Sequence, residues 1–154
     1  MKNLALGATA GAAGTMALDI VSYLDMASRG RSPSDMPAKT AQALAALIGL
    51  RPEKDETQSE EEKNRWSAIG ALMGYAVGIG VGAAYGVLHP YLRSVPLPIR
   101  GIAVGAAAMA ASDIPMVRLH LTDPTKWRAA DWLSDIIPHL AYGIVTAVVC
   151  EEFG

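Results

Sequence analysis

The stretch GALMGYAVGIGVGAAYG, residues 70–86, carries a glycine at every fourth position and no charged side chain. Glycine at this spacing gives a helix one smooth face, on which the backbone of a second helix can approach closely. Close approach matters in lipid, because packing rather than water exclusion drives helix association there. The pattern is a glycine zipper and predicts a tight helix contact, either inside the chain or with another copy. Its members are Gly70, Gly74, Gly78, Gly82 and Gly86.

The glycine stretch lies within one of four long blocks that are nearly free of charged side chains. The blocks run over about 4–25, 67–89, 101–120 and 131–150. Each is long enough for a span, since a helix needs roughly 20 residues to cross a hydrocarbon core about 30 Å thick. The blocks are rich in alanine and glycine rather than leucine, and the alternative is therefore a soluble bundle of buried helices. We expect an all-α membrane protein with four transmembrane helices.

The charged residues gather in the segments between these blocks. They make up 18% of the chain, against 51% apolar residues, and most of them lie at 26–66 and 118–135. A chain of 154 residues suits one domain rather than two. We therefore treat residues 1–154 as a single polytopic membrane domain.

The polar segment 26–66 has two parts. Residues 38–50 place apolar side chains on one side and predict a short amphipathic helix, capped by Ser34 or Asp35. Such a helix would lie on the membrane surface or cover one end of the bundle. Residues 51–65, RPEKDETQSEEEKNR, predict a solvated linker before the second span.

The lysine and arginine residues are divided unequally between the two faces of the membrane. Four spans put both termini and the loop at 90–100 on one face, which carries three of these residues, whereas the other face carries ten. Basic residues favour the cytoplasmic side. The count predicts that both termini lie outside, and that the polar segment 26–66 with its short helix is cytoplasmic.

The first and third spans contain a repeated string. GAAGTMALDI at 11–20 and GAAAMAASDI at 105–114 share six of ten aligned positions, among them Asp19 and Asp113. The second and fourth spans share the shorter string AYG. We interpret this as an internal repeat of two similar helical hairpins, related by an axis along the membrane normal.

Four ionisable side chains are expected at one depth of the bundle. Asp19 and Asp113 lie roughly 10 Å inside the same boundary, and Asp135 and His139 lie about 6 and 12 Å inside it. Asp135 and His139 are four residues apart and can pair. An aspartate in a span costs about 2.5–3.5 kcal/mol, which favours placing these groups inside the bundle. The polar intramembrane cluster is expected to include the hydroxyl groups of Tyr23, Ser112 and Ser134.

This polar cluster has two interpretations. It is either a hydrogen-bonded network that fixes the register of the helices, with Arg118 or Arg128 as counter-charge, or a site for protons or cations. Metal binding by the same four residues lacks a dense ligand spacing, and haem would need two histidines at one depth. We expect no metal and no cofactor.

The chain carries no motif of a known catalytic class, since GxSxG, the P-loop, HExxH and CxxC do not occur. A net charge of −2 without a basic stripe argues against nucleic acid as a partner. We therefore expect a non-enzymatic accessory or assembly partner, which contacts the lipid bilayer and forms a homo-oligomer or a larger membrane complex. The alternative is a proton or cation channel or transporter that uses the acidic layer.

Three short strings carry a resemblance to a known family. They are RSPSDM at 31–36, PMVRLHLTDP at 115–124 and SDIIPHL at 134–140. In them the chain resembles the YagU-like family of small bacterial inner-membrane proteins, whose molecular function is unassigned and which is linked to acid tolerance. The resemblance implies a multi-pass protein of the bacterial inner membrane and supplies no active site. The residues at its motif positions are Pro33, Asp35, Pro115, Asp135 and His139.

Overall fold

The structure, a computed structural model, describes residues 1–50 and 58–154 and forms five α-helices in these ranges. A short 3-10 turn, Pro124–Lys126, precedes the last helix. The described ranges contain no β-strand, so the prediction of an all-α fold is confirmed. The helices are α1 (Lys2–Arg29), α2 (Met36–Leu47), α3 (Glu60–Leu92), α4 (Leu97–Arg118) and α5 (Ala129–Phe153).

Four of the helices, α1, α3, α4 and α5, are long and apolar enough to cross a membrane. Between 22 and 33% of the residues in the most apolar window of each helix are buried, so most side chains point away from the bundle. Large apolar side chains are exposed on all four helices, as at Ile20, Leu72, Ile102 and Ile137. Such a surface is costly in water and stable in lipid. The four predicted spans therefore correspond to the helices of a multi-pass membrane protein.

The third helix starts earlier than its predicted span. It begins at Glu60 rather than at residue 67, because Ser59 caps it: the Ser59 hydroxyl accepts a hydrogen bond from the Glu62 N–H at 3.2 Å. Three glutamates in the first turn favour the same start, since negative charge stabilises the N-terminus of a helix. The end of the predicted linker is therefore helical, while its residues 51–57 lie outside the described residues.

Two other helix ends also differ from the predicted bounds. α1 continues to Arg29 and stops at Gly30, which adopts the left-handed conformation with φ 63° and donates its N–H to the Met26 carbonyl. α4 is shorter at its end than predicted, since it stops at Arg118 and His120 takes a positive φ of 56°. A residue in this conformation cannot continue a right-handed helix.

α1 lies at the centre of the arrangement, packed against both α3 and α5. α4 packs chiefly against α5, and its contact with α3 is less extensive. Both termini and the turn between α3 and α4 lie at one end, which we call the terminal end; there Gly154 comes close to Leu6 and His89. The opposite end, which we call the loop end, carries α2 and the segment 119–128.

The contact between α1 and α3 is made by glycine on both sides. A Cβ added to Gly82 would lie 2.6 Å from the backbone nitrogen of Gly11, and one added to Gly86 would lie 2.6 Å from the Cα of Gly7. Gly78 lies on the same face, with its carbonyl oxygen against Gly11. At these distances no side chain fits between the two backbones, so this part of the glycine face contacts α1 of the same chain.

The other two glycines of the zipper lie elsewhere. Gly70 faces α2, where an added Cβ would lie 2.7 Å from the nitrogen of Ala38. Apart from the adjoining backbone of α3 itself, none of the described atoms lies within 4 Å of a Cβ added to Gly74. Positions four apart turn by about 40° around a helix at each step, so five of them cannot all face one straight partner. Gly74 therefore takes no part in the helix contacts among the described residues, and its contact with another copy stays a prediction.

A second glycine contact joins α4 to α5. A Cβ added to Gly143 would lie 2.7 Å from the Cα of Gly105. Each helix pair of the predicted hairpins, α1 with α3 and α4 with α5, is thus in contact through glycine. That the two pairs are copies of one repeated unit stays a prediction.

The centre of the bundle is filled by side chains of α5. Tyr142, Thr146 and Cys150 are fully buried there, with exposed fractions of 1, 0 and 0%. The Tyr142 hydroxyl donates to the carbonyl oxygen of Gly78 at 2.6 Å, which ties α5 to α3 across the bundle. The Thr146 hydroxyl reaches the Ala10 carbonyl of α1 at 3.4 Å. Three helices therefore meet at this level, around side chains that have almost no exposed surface.

α2 forms inside the polar segment, where a short helix is predicted. Asp35 stands before its first turn, and the Ser34 hydroxyl accepts a hydrogen bond from the Met36 N–H at 3.2 Å. Thr40 and Ala41 are buried against α3, so the helix lies on the bundle rather than apart from it. Its amphipathic placement at a membrane surface stays a prediction.

Replacement of Gly82 by alanine is expected to destabilise the protein by about 1–3 kcal/mol, because the new methyl group meets the α1 backbone. Gly74→Ala is the matched control: its methyl group enters open space, and alanine favours a helix over glycine by about 1 kcal/mol. Denaturant unfolding of both variants in mild detergent, followed by circular dichroism, measures the difference. Equal stability of the two variants would contradict the tight contact.

Candidate functional site

Asp135 and His139 meet on one face of α5. The His139 Nδ1 lies 3.1 Å from the Asp135 Oδ1 and 2.8 Å from the Asp135 carbonyl oxygen. The side chains are mostly buried, with 14% of His139 and 21% of Asp135 exposed. Residues four apart stand above one another on a helix, which is why the pair forms.

Asp113 of α4 faces this pair. Its carboxyl group interacts with the carboxyl group of Asp135, and its charge also acts on His139. The Asp135 Oδ2 is buried and makes no hydrogen bond among the described residues. Two facing carboxyl groups and an imidazole can share protons, because two full negative charges repel each other strongly in a medium of low dielectric. We call Asp113, Asp135 and His139 the inner cluster.

Asp19 lies apart from the inner cluster. Its Oδ2 accepts a hydrogen bond from the Tyr75 hydroxyl of α3 at 2.9 Å. Tyr23 stands close to this pair and is 64% exposed. The expectation that Asp19 and Tyr23 converge with the other acids is therefore not met: α3 lies beside this face of α1 and supplies the partner.

Ser134 also has different partners from those expected. Its hydroxyl accepts a hydrogen bond from the Arg29 guanidinium and donates to the Ala130 carbonyl at 2.8 Å. Arg29 is bound at the same time by Asp25 at 2.5 Å, which also pairs with Arg31 at 2.6 Å. This ionic network joins the end of α1 to the start of α5 at the loop end.

Ser112 remains next to the inner cluster on α4. Its hydroxyl donates to the Met109 carbonyl of its own helix at 2.9 Å, and it also interacts with Asp113. The two arginines considered as counter-charges stand elsewhere. Arg128 pairs with Asp131 at 3.2 Å, and Arg118 lines an open cavity of about 650 Å³ at the end of α4.

The loop that carries Arg128 is held by its own polar side chains. Asp123 accepts hydrogen bonds from the Thr125 N–H at 3.1 Å and from the Thr125 hydroxyl at 2.6 Å. These bonds and the Lys126 ammonium hold the pKa of the Asp123 carboxyl below its usual value. The rings of Trp127 and Trp132 pack edge to face with centroids 5.0 Å apart, which joins this loop to the start of α5.

A second polar cluster, which is not among the sequence-based predictions, lies at the terminal end. The Glu151 Oε2 is 2.9 Å from a terminal nitrogen of Arg100 and 3.0 Å from the His89 Nε2. The ring of Tyr85 packs edge to face on His89, with centroids 5.8 Å apart. These four residues, the terminal cluster, come from α3, α4 and α5. His89, Arg100 and Glu151 each lie in a terminal turn of a helix, and all three turns are at the terminal end. Charged residues in helix turns at one end of a bundle are a signal in the sequence from which this cluster could be predicted.

The two clusters are separated by the closed centre of the bundle. Tyr142 lies three residues after His139 on α5, and Thr146 lies five residues before Glu151; both are fully buried. No group of three His, Cys, Asp or Glu residues that could hold a metal ion occurs in the part of the chain that the structure describes. The arrangement can fix helix register and share protons locally, at each end separately.

Comparison with protein-family models finds no match, and neither do the comparisons with curated proteins and with solved structures. The likeness of the chain to the YagU-like family stays a prediction from three short strings.

A double-mutant cycle tests how the acids are divided. Asp135→Asn and His139→Gln are expected to couple by about 0.5–3 kcal/mol, because their side chains touch. Asp135→Asn and Asp19→Asn should add within about 0.5 kcal/mol, because Asp19 is bound by Tyr75 instead. Unfolding free energies in detergent give both couplings. Equal coupling energies in the two cycles would indicate that Asp19 also interacts with Asp135, which would contradict this division of the acids.

Proposed function

We propose that this chain is a small, non-enzymatic protein of a bacterial inner membrane, and that it acts as an accessory or assembly partner. Membership of the YagU-like family and an orientation with both termini outside belong to the same proposal. The four apolar helices and the unequal distribution of basic residues support it. The partner is expected to be a transmembrane helix, either of a second copy or of a larger membrane complex.

The observation that carries this proposal is a row of small residues on the outward side of α3. Ala76, Gly80 and Ala84 are spaced by four and are all exposed. Apart from the adjoining backbone of α3 itself, none of the described atoms lies within 4 Å of a Cβ added to Gly80. The row lies across the helix from Gly78 and Gly82, which contact α1. Small residues four apart are a common contact surface between transmembrane helices, because they allow close backbone approach.

The closed centre of the bundle supports an assembly role over transport. A transported ion would need a wet path from Asp135 to the terminal end, past Tyr142 and Thr146. Both of these side chains are fully buried, and the Tyr142 hydroxyl is engaged by the Gly78 carbonyl. In this conformation the inner cluster is best understood as a polar contact that fixes α4 against α5.

A proton or cation channel or transporter is the second candidate. It is favoured by the inner cluster, in which Asp113, Asp135 and His139 are grouped and the Asp135 Oδ2 has no hydrogen bond among the described residues. Such groups are typical of proton relays in membrane proteins. Transport would require Tyr142 to move away from the centre of the bundle.

Gly80→Leu is expected to weaken association of the protein in lipid by at least tenfold, because a large side chain separates the facing helices. Gly74→Leu is the control, since that glycine is also exposed with open space around it but lies on a different face of α3. Energy transfer between labelled copies in vesicles, and cross-linking in native membranes, measure self-association and complex formation. Association that survives Gly80→Leu in both assays would contradict the assembly surface.

The transport candidate is tested by proton flux into liposomes. If the inner cluster conducts protons, Asp113→Asn with Asp135→Asn should reduce the flux of the native protein to the level of empty liposomes. Asp19→Asn is the matched control, because its carboxyl group lies outside this cluster. Native flux equal to that of empty liposomes would remove the transport candidate.

A further inference from the structure

The terminal cluster holds a buried positive charge beside a partly exposed negative one. Only 4% of the Arg100 side chain and 4% of the His89 side chain are exposed, against 42% of the Glu151 side chain. A guanidinium stays protonated even when buried, and it therefore needs an anionic oxygen beside it. Glu151 supplies that oxygen from the most solvent-exposed position of the cluster.

Glu151 leaves part of the cluster without hydrogen bonds. Arg100 and His89 both contact the same oxygen, Oε2. The Nε of Arg100 and the hydroxyl of Tyr85 are buried and make no hydrogen bond of good geometry among the described residues, although the two side chains interact with each other. A buried polar group without a partner destabilises a fold, so these two groups require an oxygen ligand that Glu151 does not supply. The site has more donors than one carboxylate oxygen can satisfy.

We propose that Arg100, His89 and Tyr85 form a binding site for an anionic phosphate group, and that Glu151 occupies this site as an internal competitor. Phosphate offers several oxygens, enough for both Arg100 and the Tyr85 hydroxyl, and arginine is the preferred partner of such groups. Glu151 stands in the last turn of α5, where a helix end can open without unfolding the bundle. An external phosphate would therefore displace the Glu151 side chain while Arg100 and His89 stay in place.

The depth of the site fits a ligand from the membrane surface. His89 and Arg100 each lie three residues from a helix end, which is about 5 Å along the axis. For α4, whose 22 residues span about 33 Å, this places the site just inside the edge of the hydrocarbon core, next to the lipid headgroups. The phosphate can belong to an anionic phospholipid or be free in solution, and the chemistry of recognition is the same for both.

The test uses the full chain in a neutral detergent, with inorganic phosphate and phosphatidylglycerol as separate probes. Phosphate binding is measured by the thermal unfolding midpoint, and lipid binding by native mass spectrometry. Glu151→Gln removes the competing charge at constant size and is expected to increase affinity for one of the probes by about five- to a hundredfold. Glu152→Gln, the same change at the exposed neighbouring residue, should leave affinity as in the native protein. Arg100→Gln added to Glu151→Gln should abolish the gain.

The two probes separate the sources of the ligand. A gain with inorganic phosphate supports a site for the free anion, and a gain with phosphatidylglycerol alone supports a lipid headgroup site. Where the Gln variant does not fold, Glu151→Asp keeps the charge but shortens its reach, and the same gain is expected. No gain with either probe, or an equal gain in Glu152→Gln, would overturn the proposal.

Discussion

The close approach of α1 and α3 through glycine is the constraint on which the rest of the bundle depends. With Gly7 and Gly11 against Gly82 and Gly86, the two backbones touch, and no side chain can be added between them. This approach brings the Gly78 carbonyl within reach of the Tyr142 hydroxyl of α5. This hydrogen bond helps to position α5 beside α1 and α3. The glycine contact between α4 and α5 then holds α4 in place. In lipid, where water exclusion does not drive helices together, such packing must supply the stability.

The helix packing decides which polar side chains of the bundle contact each other. Asp19 is beside α3 and binds Tyr75, whereas Asp113 is beside α5 and faces Asp135. An unpartnered acid in a membrane interior is costly, and these acids accordingly lie beside polar groups of a neighbouring helix. Equivalent positions in the two similar strings of sequence thus have different environments, because the helices around them differ.

The two polar clusters lie on opposite sides of the closed centre of the bundle. We therefore regard them as two separate polar sites. The inner cluster joins α4 and α5, and the terminal cluster joins α3, α4 and α5 around Glu151. Fully buried Tyr142 and Thr146 lie between them. The outward side of α3 is exposed in the part of the chain that the structure describes, and it carries small residues suited to another helix. This distribution supports the proposal that partners bind on the exterior, whereas the polar contacts lie inside the bundle.

The sequence by itself determined the helical class, the four spans, the short helix in the polar segment and the pairing of Asp135 with His139. Periodicity, charge distribution and four-residue spacing are local properties, and they need no knowledge of neighbours. Only the tertiary structure decided that Gly74 faces open space, that Asp19 binds Tyr75 and that Arg100, His89 and Glu151 meet. These outcomes depend on which face each helix turns toward its neighbours. That rotation is set by backbone packing between residues far apart in the chain, which no single segment encodes.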